Sequence, residues 1–408
     1  MENSSSAIVV SNPETKISKK EMYRPWSELT DPIIEVIYSD LDFIDKFRMA
    51  SVCISWRNVA PWFARRRPQQ LIPWLLFFHD APTEALVLLN LPENMVHQIR
   101  IPRINMKLCC GSSEGWLFML DDARENHCFL LNPFTKARIQ LPPLSIDPPN
   151  AIRKVILSSD PRINEDWMVV VHLTIHGLVF CKSGYSSWST GPPRNRFWYP
   201  YDDRDIIFFE GKVYALGMLH SLWIFDMEPQ KYILKGSAVA PSYDLYRNTD
   251  PVDDGYISYL VASDGDVFLI SRFLKNIRKP CTACESLSTE CIECQAAINH
   301  YVTLNFLVYK LKENNDRRRR TEYVWARQSS LGVNRALFLS KRGSTSVSTI
   351  ETPGLHGNCI YFTNDLHPET TKSCDIGIYN LEDDQIERLI QLDSYPLEFP
   401  LIWITPSI

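Results

Sequence analysis

No apolar run in this chain approaches the ~20 residues that a membrane-spanning helix needs; stretches such as Trp74 to Phe78 are far shorter. Charge of one sign is also missing. Lys and Arg total 43 against 48 Asp and Glu, a net charge of −5, so there is no general drive toward nucleic acid or anionic membrane. A disulfide framework is absent from the pattern. Eleven cysteines is an odd count, mostly scattered singly, which points to free thiols in a reducing compartment, nucleus and/or cytoplasm. The N-terminal segment MENSSSAIVVSNPETKISKK lacks a basic stretch followed by an apolar core. It does not read as a secretory signal, and residues 1–20 are expected to be a disordered polar tail.

What is present is globular. Hydrophobic residues make up 45% of 408, enough for two or more units and a sizeable core. The first unit is helical. Asp31-Pro32 reads as a helix start, with an N-cap acceptor and then a proline whose missing N–H costs nothing in the first turn. Ile33, Ile34, Ile37 and Leu41 follow at helical spacing. Asp42 can cap a second helix carrying Phe43, Ile44, Phe47 and Ala50. Val52, Trp56, Val59 and Phe63 form a third amphipathic stretch. Units this small rarely stand alone, so the segment needs a partner or a neighbouring domain. Helical spacing by itself equally allows a small cap packed on the downstream domain.

The residues of 21–70 carry more than a period. Trp26-x-x-Leu29, Pro32, Ile33, Ile37, Leu41, Asp45-x-x-Arg48 and Val52-Cys53-x-x-Trp56-Arg57 occur together and in order. The segment resembles an F-box, the motif by which substrate receptors dock onto the Skp adaptor of a cullin-based ubiquitin ligase. It departs from the common pattern in having Leu29-Thr30 where many F-boxes have Leu-Pro, the proline being displaced to Pro32. The resemblance implies adaptor contact around Leu29, Pro32, Ile33 and Ile37, with Trp56 holding the small unit together. It also implies that the chain is a substrate-recognition subunit with no catalytic residue and no cofactor of its own. Its expected partners are a Skp-type adaptor, a cullin through it, and a target protein that the sequence does not identify. The alternative is an interaction scaffold whose helices no longer bind the adaptor.

From Leu71 the pattern becomes period-2. Trp116–Leu120, Trp167–Val171, Gly177–Phe180, Lys212–Leu216, Leu222–Phe225, Asp266–Ile270, Phe306–Tyr309, Asn358–Phe362 and Ile376–Tyr379 read as strands. Many strands with few helical patterns indicate a sandwich, barrel or propeller. Gly115, Gly177, Gly211, Gly265 and Gly357 each precede an alternating strand, at intervals of 62, 34, 54 and 92 residues. Propeller blades run ~40–50 residues, so 71–408 holds about six to eight. Cys110-Gly-Ser-Ser-Glu-Gly-Trp-Leu117, Leu131-Asn-Pro-Phe-Thr135 with Leu141-Pro-Pro143, Ala336-Leu-Phe-Leu339, Gly357-Asn-Cys-Ile-Tyr-Phe362 and Ile402-Trp-Ile-Thr-Pro406 give a second resemblance. The region is similar to the kelch-like β-propeller joined to F-boxes in a large plant family. The expected fold is therefore mainly β, a three-helix F-box followed by that propeller.

Three motifs point elsewhere. Gly111-Ser-Ser113-Glu-Gly115 matches G-x-S-x-G, but a nucleophile elbow needs a strand turning into a helix, and a strand follows here. Cys281-x-x-Cys284 and Cys291-x-x-Cys294, with His300 nearby, have thiolate spacing that can grip zinc. The six residues between the pairs fall short of the usual ~15–20, and a reduced loop is the simpler reading, so no metal site is assigned. Arg317–Arg320 reads as a solvated hairpin tip or, more sharply, a nuclear import signal or a contact for an acidic partner.

Overall fold

The computed structural model describes residues 26–59 and 72–407, apart from internal stretches of which the longest are 192–204, 240–254 and 277–300. The chain divides into two compact units, 1–68 and 69–408.

In the first unit a 3-10 turn, Trp26–Glu28, precedes α1 (Asp31–Asp40), α2 (Phe43–Ala50) and α3 (Ile54–Val59). The start of α1 differs from the sequence reading by one residue. Thr30 occupies the N-cap in extended conformation and makes no side-chain cap, Asp31 lies in the first turn, and Pro32 follows it. Asp31 still complements the helix dipole there. The core is small: Ile34, Tyr38 and Met49 are buried, with Leu29, Ile37, Leu41, Trp56 and Val59 packed against them. The third amphipathic stretch becomes helical later than its spacing predicted, at Ile54. Val52 lies in the turn before α3 and is exposed, while Asp42 and Phe63 fall outside the described residues.

The second unit is a six-bladed propeller. Blade 1 contains β1 (Trp74–Phe78), β2 (Ala85–Asn90) and β3 (Met95–Arg100). Blade 2 is β4 (Cys109–Ser113), β5 (Trp116–Leu120), β6 (Cys128–Leu131) and β7 (Arg138–Gln140). Blade 3 is β8 (Ile152–Leu157), β9 (Met168–Leu173), β10 (Gly177–Lys182) and β11 (Ser189–Thr190). Blade 4 is β12 (Ile206–Phe209), β13 (Lys212–Leu216), β14 (Leu222–Glu228) and β15 (Lys231–Val239). Blade 5 is β16 (Gly255–Ser263), β17 (Asp266–Asn276), β18 (Tyr301–Glu313) and β19 (Tyr323–Gln328). Blade 6 is β20 (Arg335–Leu339), β21 (Thr345–Ser348), β22 (Cys359–Phe362), β23 (Gly377–Asn380) and β24 (Ile386–Arg388). The last strand, β25 (Glu398–Ile404), returns to pair with β1 and completes blade 1.

Two irregularities stand out. In blade 6, β21 folds back to the inner edge, giving the order β21-β20-β22-β23-β24 with β20 and β22 parallel. Blades 4 and 5 are joined at their outer edges, where β15 runs parallel to β19 through Ala238↔Tyr323 and Val239↔Val324. That pairing covers part of two otherwise open sheet edges.

Each blade is wedged between two others, so both faces of its middle strands are apolar. All six residues of β9 are buried. Val169, Val171 and Leu173 pack with Trp116, Phe118 and Leu130 of blade 2. Met168 and Val170 pack on the opposite side with Val213, Ala215 and Phe225 of blade 4. Equivalent clusters join blades 4 and 5, blades 5 and 6, and blades 6 and 1. Between blades 1 and 2 the C-terminal segment supplies polar stitches. Ser112 Oγ donates to the Trp403 carbonyl at 2.5 Å, and Asn132 Nδ2 donates to the Ser407 carbonyl at 2.9 Å.

The glycine repeat is real for three of its five members. Glu114-Gly115, Glu210-Gly211 and Asp264-Gly265 all have positive φ at both positions and join an inner strand to the next. These are type I′ hairpins, which need left-handed backbone twice. Gly177 belongs to a different hairpin, β9–β10, because blade 3 uses the longer Ser158–Trp167 connection at the inner position. Gly357 precedes β22 and is required for space: a Cβ there would collide with the Val333 carbonyl.

Candidate functional site

The four residues expected to face an adaptor are split by the helical unit. Pro32 and Ile33 of α1 are exposed, Ile33 by 49%, while Leu29 and Ile37 are half-buried against Ile34, Tyr38 and Met49. Val36 (62%), Ile54 (74%) and Trp26 (53%) add to the exposed apolar surface of the unit. The Trp56 indole donates to the Trp26 carbonyl at 2.8 Å, tying α3 to the leading turn. Arg48 pairs with Asp45 at 2.7 Å across one exposed turn of α2, a geometry worth little to stability.

Ser113 sits at the end of β4, and its hydroxyl accepts the Leu157 N–H at 2.9 Å. The chain then enters the Glu114-Gly115 hairpin and β5, so the strand-to-helix turn of a nucleophile elbow is not formed. Cys281, Cys284, Cys291 and Cys294 lie outside the described residues, as do Arg317–Arg320, which fall in the connection after the last β18–β19 pair, Glu313↔Tyr323. Among the described residues no group of three or more His, Cys, Asp or Glu is placed to hold a metal. No described helix is long and apolar enough to cross a membrane.

The propeller has a central cavity of about 380 Å³. Residues from the innermost strand of every blade line it: Ser112 and Ser113 from β4, Lys154 from β8, Ile207 from β12, Ala262 from β16, Thr345 from β21 and Trp403 from β25. Glu114, Asp160, Ile163 and Ser407 lie where these strands end. The lining is mixed in polarity, and one buried ion pair organises it. Lys154 Nζ meets Asp205 Oδ1 at 2.5 Å. Asp205 also accepts the N–H of Ile206 at 2.8 Å and of Leu260 at 2.7 Å. One carboxylate thus fastens three consecutive inner strands.

Asp160 anchors the second polar group. It accepts the Trp116 indole N–H at 3.0 Å and is gripped by Arg162 through Nε at 3.2 Å and Nη2 at 2.6 Å. Burial pushes its pKa up, but the hydrogen bonds from Arg162 and Trp116 outweigh this and hold the carboxyl below its ordinary value. Glu114 shows the reverse. Although the residue is exposed overall, crowding withdraws its carboxyl from water and raises its pKa, and the Asp160 charge adds to the shift. Sequence reasoning missed Lys154, Asp160 and Asp205. The available signal was a lysine interrupting the apolar strand Ile152–Leu157 and an aspartate opening Ile206–Phe209.

Residues 88–380 match the family model described as the KIB1-4 beta-propeller. The chain belongs to this family. Its KIB1-4 match starts inside β2 and ends with β23, so the strands that close the ring, β1 and β25, lie beyond it. Relatives along nearly the whole length are Arabidopsis thaliana proteins that carry F-box names. At4g22660 is 23% identical over 439 residues, covering 96% of this chain and 99% of its own. At4g17565 is 25% identical over 395 residues, covering 90% of each. Among solved structures, the N-terminal domain of Nup159 aligns at a TM-score of 0.32 and 10% identity, over 78% of this chain and 75% of that one. A likeness at that level carries no argument, and the KIB1-4 assignment rests on the family match.

Proposed function

We propose that the chain is a substrate-recognition subunit of an SCF-type E3 ubiquitin ligase acting in the nucleus or cytoplasm. The helical unit docks to a Skp-type adaptor through Leu29, Pro32, Ile33 and Ile37, and the propeller holds the protein to be modified. The chain makes no covalent bond itself. It contributes proximity, raising the effective concentration of target lysines near the charged conjugating enzyme.

The observation that carries this reading is the set of exposed aliphatic side chains on a small helical unit. Ile33, Val36 and Ile54 are about half or more exposed, while among the described residues of the unit Ile34, Tyr38 and Met49 are buried. Apolar surface of this kind marks an interaction site. The F-box names of the relatives support the same reading.

The test is a pull-down of the full chain with a recombinant Skp adaptor, alongside Ile33→Asp. Ile33 is exposed, so the change leaves the small core intact. Saturable binding lost in Ile33→Asp is the expected result. A folded chain that fails to bind the adaptor overturns the proposal and favours a non-ligase interaction scaffold.

A further inference from the structure

We propose that the central cavity of the propeller is a binding site for a small neutral polyol, of the size of a monosaccharide or cyclitol. The inference concerns the propeller alone and stands whether or not the helical unit binds an adaptor.

Volume comes first. About 380 Å³ lies within the roughly 300–1,000 Å³ of small-ligand sites and far exceeds the roughly 30 Å³ share of one water. The second point is an unfilled donor set. An ammonium carries three N–H donors. Lys154 is 97% buried and lines the cavity, yet among the described residues its ammonium has one hydrogen-bond partner, Asp205. Buried donors left without acceptors are costly, and an oxygen-bearing guest in the cavity supplies them. Ser113 adds a hydroxyl proton, because among the described residues its Oγ serves as an acceptor alone, from Leu157 N–H.

Charge and acceptors then select the guest. Lys154 is already neutralised by Asp205, and Asp160 by Arg162. The cavity therefore has no net cation left to demand an anion. Carboxylates and backbone carbonyls on the lining, from Glu114 and Asp160 to the Trp403 segment, accept hydroxyl protons. Donors and acceptors lining the same cavity match a molecule whose every group is a hydroxyl, both donor and acceptor. An inorganic anion would meet Glu114 and Asp160, and an apolar guest would strand Lys154.

The test uses the full chain and three named probes, D-glucose, D-mannitol and myo-inositol, with inorganic phosphate as the anionic control. Binding is read by calorimetry and by ligand-observed NMR. Lys154→Met removes the donors but orphans buried Asp205, so its failure to bind could reflect misfolding. Ala262→Leu is the deciding variant, since it fills the cavity from β16 with apolar volume and leaves both ion pairs in place. One polyol should bind saturably at one site per chain, with affinity at least tenfold weaker in Ala262→Leu at unchanged circular dichroism. Failure of all three polyols to bind the folded chain overturns the proposal. So does phosphate binding in their stead, or polyol binding that Ala262→Leu leaves untouched.

Discussion

Arg272 and Asp375, 103 positions apart in the chain, meet at 2.9 Å with both side chains almost fully buried. The guanidinium also donates to Thr303 Oγ1 at 2.8 Å and to the Thr363 carbonyl at 2.6 Å, and stacks on Phe362 with its centre 4.6 Å from the ring. Tyr259 donates to Asp365 at 2.6 Å beside it, and Arg388 pairs with the other oxygen of Asp375. One arginine of β17 thereby locks blade 5 to blade 6. Burial raises the Asp365 pKa, opposed by the Arg272 charge.

Removing that arginine takes one cation from each of two buried carboxylates, Asp365 and Asp375, and leaves Asp375 paired with Arg388. Arg272→Met should lower unfolding free energy by about 3–5 kcal/mol, the typical cost of breaking a buried pair from one side. Urea denaturation followed by tryptophan fluorescence measures it. A loss below about 1 kcal/mol, well under the range for such a pair, would show that the network relaxes freely.

The I′ hairpins make a prediction of the opposite sign. Glu210 holds φ at 47°, where side chains other than Asn and Asp are strained. Glu210→Asn should stabilise the propeller by about 0.5–1 kcal/mol. Gly265→Ala, with φ at +77° but open space around the added carbon, should cost about 1–2 kcal/mol. Gly357→Ala should cost more, because it strikes backbone. Thermal melts of the three variants rank them.

Five buried thiols predict an alkaline limit. Burial raises Cys110 and Cys128 from 9.0 to about 12, and Cys109, Cys181 and Cys359 to about 11. Above pH 9 the unfolded chain loses these protons while the folded chain keeps them, so stability falls as pH rises toward 11–12. Below pH 9 their contribution is complete. Denaturant midpoints at pH 8, 9, 10 and 11 should decline. In the native state at pH 8 the five should also resist iodoacetamide, read by peptide mass mapping.

Trp403 tests the seam. It is 2% exposed, and its indole donates to the Leu339 carbonyl at 3.0 Å while its own carbonyl accepts from Ser112. Trp403→Ala should cost about 3–5 kcal/mol, with exchange protection lost first in Trp74–Phe78, the strand beside it.

Much of this fold could be read along the chain. Strands such as Trp116–Leu120 and Asp266–Ile270 declare themselves by composition, and three Glu/Asp-Gly turns mark the same hairpin in three blades. The repeat misled at Gly177 and Gly357 because a glycine reports only its own backbone, not its place in a blade. The blade count needed β21 and β25, which take their places only through the pairings of the folded ring. The β15–β19 union is parallel and nonlocal, so no local pattern encodes it. Cavity residues were hidden for a similar reason: Lys154 and Asp205 gain meaning only when two blades place them 2.5 Å apart. In the helical unit, spacing located α1 but could not separate inward Ile34 from outward Ile33.

Because β25 completes the sheet begun by β1, the ring cannot shut until β25 itself has been made. Through translation of some three hundred residues, the β1 edge awaits a neighbour that does not yet exist. An unpaired edge of that kind invites wrong pairings. The interval between the synthesis of Trp74 and that of Ile404 is therefore when the sheet is most open to mispairing, and a truncation just before Glu398 should leave blade 1 as incomplete as a far earlier one.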